Sequence, residues 1–189
     1  MTFDVIIAGF GGQGVLFAGQ LLAHTALDAG LETTWYPSYG PEMRGGTANC
    51  TVVISDAPIG SPVVDRPGAV IALNLPSLER YEPKLRSGGL LVVNASLVDR
   101  AVARDDLEVV AIPADDVAAE LGQARLTNMV LVGALLQRSG ALDPASVRAT
   151  LERVLPQRHQ HLLGANVAAL ARGAELSAAL QSEAAPHAL

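Results

Sequence analysis

A chain of 189 residues that is 50% hydrophobic and 17% charged carries enough apolar material for one substantial core, which excludes a disordered polypeptide. Its net charge of −6 argues against a nucleic-acid binder, which shows a basic patch or stripe. Aromatic residues make up only 4%, so the core must be built from Ala, Val, Leu and Ile.

The chain begins on a strand signal. Phe3 to Ala8 is a short, nearly continuous apolar run, the pattern of a strand buried on both faces. Gly9-Phe10-Gly11-Gly12-Gln13-Gly14 follows, and then Val15 to Ala29 reads as a helix, with Gly30 as its C-terminal cap. Gly9, Gly11 and Gly14 have the GxGxxG spacing. The first glycine permits a tight turn, the second lets backbone N–H groups approach a phosphate, and the third lets the helix pack on the strand. The helix N-terminus then turns a partial positive charge toward an anion. The alternative is a tight turn that only packs a helix on a sheet. A dinucleotide site also needs an acidic residue near the end of the second strand. Leu31 to Tyr36 is that strand, and Glu32 stands at its start, which disfavours NAD and FAD.

Ser38-Tyr39-Gly40-Pro41-Glu42-Met43-Arg44-Gly45-Gly46-Thr47 comes next, ahead of a strand from Ala48 to Ile54. Gly45-Gly46 frees the backbone, and Arg44 beside it can present a planar cation to a carboxylate or phosphate. The string reads as a binding loop, although an ordinary turn with Arg44 in water is the plainer alternative. It is too short for a crossover helix, so the strand after it should run antiparallel to a neighbour in a mixed sheet.

Strands are expected at Ala69 to Leu73, Leu90 to Val93 and Glu108 to Ile112, and helices at Pro76 to Leu85, Pro113 to Leu121 and Leu126 to Arg138. Asn128 reads as a satisfied core amide or a helix cap. Asp143-Pro144 opens another helix, Ala165 to Leu176 forms the last one, and Gln181 to Leu189 should fray. His159 and His161 are two apart and share no helix face, so no metal pair is expected. Cys50, the single cysteine, lies in an apolar strand and reads as a buried inert thiol. Lys84 is the only lysine, which leaves none for a Walker-type phosphate loop. No export signal precedes the first strand and no apolar run reaches about 18 residues, so a cytoplasmic location without a membrane span is expected. The expected fold is α/β, a Rossmann-like three-layer α/β/α domain over residues 1–175 with a mixed, mostly parallel sheet, followed by a tail over 176–189.

Three stretches carry a family resemblance: Ile7 to Val15, Pro37 to Asn49, and Leu155-Pro156-Gln157-Arg158-His159-Gln160-His161-Leu162. From Phe3 to about Gly173 the chain resembles the gamma subunit of 2-oxoacid:ferredoxin oxidoreductases. Gly40-Pro41-Glu42-Met43-Arg44-Gly45-Gly46 is similar to the loop of the 2-oxoglutarate and branched-chain 2-oxoacid enzymes; indolepyruvate enzymes carry a different one. The resemblance implies a complex that uses thiamine diphosphate and Mg²⁺ to decarboxylate a 2-oxoacid oxidatively. Electrons leave through [4Fe–4S] clusters to ferredoxin or flavodoxin, and coenzyme A takes the acyl group. It places those groups in alpha and beta subunits and, in some complexes, a ferredoxin-like delta subunit. This chain agrees with that division, having no Gly-Asp-Gly thiamine motif and one cysteine.

The chain would then hold no catalytic residue and be inactive alone. Gly9, Gly11, Gly12, Gln13, Gly14 and Arg44 are the candidate ligand contacts. A phosphate of coenzyme A is the expected ligand, and the substrate's distal carboxylate the alternative. Ser38, Tyr39, Gly40, Glu42, Met43, Gly45 and Gly46 are the candidate partner or active-site loop. A stand-alone nucleotide-binding oxidoreductase and a purely structural accessory subunit are the competing readings.

Overall fold

In a computed structural model, which describes residues 1–38 and 47–183, the apolar runs form one six-stranded sheet. The strands are β1 (Thr2–Phe10), β2 (Glu32–Ser38), β3 (Thr47–Ser55), β4 (Ala69–Ala72), β5 (Leu90–Asn94) and β6 (Glu108–Ile112). The helices are α1 (Val15–Asp28), α2 (Leu75–Tyr81), α3 (Ala114–Glu120), α4 (Thr127–Ser139), α5 (Pro144–Val154) and α6 (Leu163–Glu183).

The sheet order is β2-β3-β1-β4-β5-β6. β1, β4, β5 and β6 are parallel, and β3 runs antiparallel to both β1 and β2. The mixed sheet expected from the short connection is therefore present. α1 carries the chain past the β3 position to β2, and β3 returns to fill the gap. Strand alternation divides the core. Val5, Ile7, Cys50, Val52, Ile71 and Val92 face α1 and α4, while Ile6, Ala8, Val70, Ala72, Leu91 and Val93 face Leu78 and Tyr81 of α2 and the neighbouring Leu85.

Local chemistry sets most boundaries. α1 ends in a Schellman motif: Leu31 N–H donates to Ala26 O and Gly30 N–H to Leu27 O, each at 3.0 Å, with Gly30 at φ 75°. Asn74 caps α2 by accepting from Ser77 N–H at 3.0 Å. The single helix expected through Leu85 stops at Tyr81 and becomes a 3-10 turn over Glu82–Lys84, because Pro83 removes a donor and clashes with the preceding turn. Asp143 caps α5 through Ser146 N–H at 2.9 Å.

α4 is buried on every side from Thr127 to Leu136, between the sheet and α6. α6 lies very close to it. A Cβ at Gly133 would stand 2.0 Å from Leu170 O, and one at Gly173 would stand 1.8 Å from Val130 O. Ala169, Gly173 and Ser177, four apart on α6, are buried, and Ser177 Oγ donates to Ala134 O at 3.3 Å. The last helix therefore does not stop at Leu176 as expected; it runs on to Glu183, because residues beyond 176 still pack. No helix among the described residues is long and apolar enough to cross a membrane.

Candidate functional site

β1 ends in a turn in which Gln13 N–H donates to Phe10 O at 3.2 Å. Gly12 takes φ 94° at the third position, where a type II turn favours glycine. Gly14 then takes φ 74° as the N-cap of α1. Among the described residues no side chain caps this helix, and its first turn holds no acidic residue. Its leading N–H groups therefore retain their partial positive charge for another acceptor.

Above them lies a cavity of about 260 Å³. Phe10, Val15, Leu16, Phe17 and Ala48 form its apolar walls, with Gly11, Gly12 and Gly14 supplying backbone. A low-dielectric wall strengthens any hydrogen bond made there. The described lining residues include no charged side chain, so formal positive charge for an anion must come from elsewhere.

Gly9 and Gln13 build the turn but do not line this cavity. A Cβ at Gly9 would meet Gln13 Oε1 at 2.7 Å and Leu73 Cβ and Val15 Cγ2 at 3.0 Å, so its need for glycine is steric. Gln13 folds back, and its Oε1 accepts from Phe10 N–H at 2.6 Å and from Asn74 Nδ2 at 3.2 Å.

Three buried asparagines hold the carboxyl end of the sheet around the turn. Asn74 joins Gln13 to the start of α2. Asn128 Nδ2 donates to Gly14 O at 3.1 Å, so the core amide read from sequence is a clamp on the turn. Asn94 Nδ2 donates to Leu73 O at 3.2 Å and its Oδ1 accepts from Ala114 N–H at 3.1 Å. Asn74 and Asn94 were not singled out by the sequence reading. Their signal was an amide placed directly after an apolar strand run.

Arg44, Tyr39, Gly40, Glu42, Met43, Gly45 and Gly46 lie outside the described residues. Ser38 pairs with Asn49, and Thr47 with Phe10, so both flanks stand at the same end of the sheet as the glycine turn. Glu32 pairs with Ser55 at the opposite end, and β3 separates β2 from β1. That leaves no acidic ribose partner from the second strand beside the turn.

Cys50 is fully buried, as expected; burial pushes its thiol up to about 12, and Sγ donates to Val15 O at 3.5 Å. It is neither a nucleophile nor an accessible cluster ligand. His159 and His161 have ring centroids 6.5 Å apart, and among the described residues no group of three His, Cys, Asp or Glu could hold a metal ion.

Residues 4–176 match the family of pyruvate ferredoxin/flavodoxin oxidoreductases. The chain belongs to that family. It is 35% identical over 183 residues to the 2-oxoglutarate synthase subunit KorC of Methanothermobacter marburgensis, covering 93% of this chain and 97% of KorC. It is 38% identical over 172 residues to the ketoisovalerate oxidoreductase subunit VorA of Methanothermobacter thermautotrophicus, covering 90% of this chain but 35% of VorA. The chain thus spans about a third of that longer relative. The gamma subunit of a keto/oxoacid ferredoxin oxidoreductase from Geobacter sulfurreducens shares the fold at a TM-score of 0.80 with 26% identity, covering 94% of this chain and 99% of that one. A 2-oxoglutarate:ferredoxin oxidoreductase from Magnetococcus marinus, solved with 2-oxoglutarate, coenzyme A and succinyl-CoA, has the same fold over 94% of this chain and 31% of its own, at a TM-score of 0.85 and 24% identity.

The donor set tests the groups associated with such complexes. A lone buried thiol cannot hold an iron–sulfur cluster. The glycine turn, with helix N–H groups that no described side chain caps, does fit an anionic group.

Proposed function

We propose that this chain is the gamma-type subunit of a multi-subunit 2-oxoacid:ferredoxin oxidoreductase, with 2-oxoglutarate the leading substrate. Its role is to bind an anionic group of coenzyme A at the glycine turn and to complete the site with the loop after β2. The observation that carries this is the N-terminus of α1, uncapped by any side chain among the described residues and opening on an apolar-walled cavity. Full-length similarity to KorC supports the subunit assignment.

Thiamine diphosphate, Mg²⁺ and the [4Fe–4S] clusters belong, in this reading, to alpha and beta subunits, with a ferredoxin-like delta subunit in some complexes. Ferredoxin is reached through the assembly, in the cytoplasm. When bound, coenzyme A supplies the thiol that accepts the acyl group. This chain's own part is to position it: Gly11, Gly12 and the first N–H groups of α1 offer donors, and Phe10 and Phe17 exclude water. Arg44 supplies the formal charge absent from the described lining. Ser38, Tyr39, Gly40, Glu42, Met43, Gly45 and Gly46 form the contact to the partner.

The test uses the assembled complex carrying Arg44→Ala. Hydrogen bonds to a charged group contribute about 1.5–3 kcal/mol each, so the apparent affinity for coenzyme A should fall roughly ten- to a hundred-fold. Arg44→Lys should recover part of it, since the bidentate fork is lost. Normal assembly with unchanged affinity for both coenzyme A and 2-oxoacid removes the ligand role; failed assembly moves Arg44 to the interface. The isolated chain, given thiamine diphosphate, Mg²⁺ and coenzyme A, should not reduce viologen with any 2-oxoacid.

A further inference from the structure

Although the chain is acidic overall, one cleft gathers two arginines and two histidines. It lies between the α3–α4 connection, residues 122–126, and the 3-10 stretch Gln157–Leu162, with a volume of about 700 Å³. Arg125 stands on one wall; Arg158, His159 and His161 stand on the other, and among the described residues no carboxylate lines the cleft.

Several arginines elsewhere are paired with carboxylates within the fold, as in Arg100–Glu82, Arg104–Asp106, Arg138–Glu108 and Arg153–Asp28, while Arg66, Arg80 and Arg148 stand unpaired among the described residues but line no cleft with a second arginine. Arg125 and Arg158 have no carboxylate partner among the described residues. Arg158 Nε donates to His159 Nε2 at 3.1 Å, and its two NH₂ groups have no partner among those residues.

Both walls are pre-formed. Gly122 N–H donates to Ala119 O at 2.8 Å, Gln123 N–H to Ala118 O at 2.9 Å and Leu126 N–H to Gln123 O at 2.9 Å. Gln160 anchors the other wall, donating to Leu155 O at 2.7 Å and Glu152 O at 3.0 Å. Its neighbours Arg158, His159 and His161 are left to the cleft.

We propose that this cleft docks an acidic polypeptide segment of a partner protein. The charge is spread across two walls on exposed Arg125 and Arg158, over far more volume than the glycine-turn cavity, with His161 exposed beside Arg158 as a further hydrogen-bonding group. An enclosed small-anion site would instead converge buried donors on one point. A row of carboxylates satisfies separated guanidinium forks, and pre-formed walls reduce the ordering cost of binding. None of these residues lines the glycine-turn cavity, so the two sites succeed or fail independently.

The probe is a fluorescent oligoglutamate peptide, titrated into the full chain and followed by anisotropy, with oligolysine and inorganic pyrophosphate alongside. Oligoglutamate should bind, weaken with added salt, and bind about tenfold or more weakly to the Arg125→Ala/Arg158→Ala variant. Both side chains are exposed, so the variant should melt as the parent does. Arg125→Glu/Arg158→Glu should reverse the preference to oligolysine. Unchanged oligoglutamate binding in the double alanine variant overturns the proposal, as does tighter binding of pyrophosphate than of the peptide at the same cleft.

Discussion

The turn at Gly9–Gly14 and the crossing of α4 on α6 both depend on glycine, for different reasons. At the crossing, Gly133 and Gly173 lie against backbone oxygens of the facing helix, and a Cβ would overlap them at 2.0 and 1.8 Å. At the turn, Gly12 and Gly14 take positive φ, and a Cβ at Gly12 meets nothing within 4 Å. The crossing leaves no room for a ligand, while the turn leaves room that the described residues do not fill. A glycine therefore signals a site only when its neighbour is space; when its neighbour is backbone, it signals packing.

That contrast can be broken by substitution. Gly173→Ala should cost about 3 kcal/mol or more, because rigid helix backbone must move apart, and Gly133→Ala should behave alike. Urea melts measure this; a loss below about 1 kcal/mol would show that the two helices separate freely and would end the distinction.

Gly14→Ala should come next. The left-handed conformation costs about 1–2 kcal/mol and the new Cβ, 2.4 Å from Asn128 Nδ2, also displaces the clamp. Asn128→Ala combined with it should be less than additive, since both act on one contact.

Acid sharpens the comparison. The turn is tied by neutral amides, whereas the connection after β5 is tied by Glu82, which is 3% exposed. Its carboxylate accepts from Arg100 at 2.6 Å, from Arg104 N–H at 3.2 Å and from Ala103 N–H. Desolvation pushes Glu82 up, but Arg100 and the two backbone donors together hold it below the ordinary glutamate value. Its stabilisation is therefore present above that ordinary value and lost as pH falls through the lowered one. Glu82→Gln should cost about 1.5 kcal/mol at neutral pH, with the difference from the parent shrinking in acid. Changes at Gly14 should show no such pH dependence.

Gly12→Ala should be mildest for stability, about 1 kcal/mol, because only φ is strained. Its larger effect should fall on coenzyme A affinity in the assembled complex, since its Cβ enters the space above the turn. Equal small effects on both would mean that the space is not used.

Much of this was legible from residue order. The strand runs, the Gly30 cap, the Asp143 cap and the glycine turn follow from short-range sterics and hydrogen bonding, which act within a few residues. The mixed sheet followed from the length of one connection. The burial of Cys50 followed from the apolar run around it. Some features were not legible. Asn128 and Gly14 are 114 residues apart, and nothing local to either signals the bond between them. Ala169, Gly173 and Ser177 form a small-residue stripe that has meaning only once Gly133 lies opposite, and the same packing carried α6 past its expected end. The order of the strands, with β3 between β2 and β1, brought the flanks of the 39–46 connection to the glycine turn. Sequence by itself determined which segments could be strand, helix or turn, because those choices are made by neighbouring atoms. Only the tertiary structure decided which of them touch, because that depends on burying every apolar face at once.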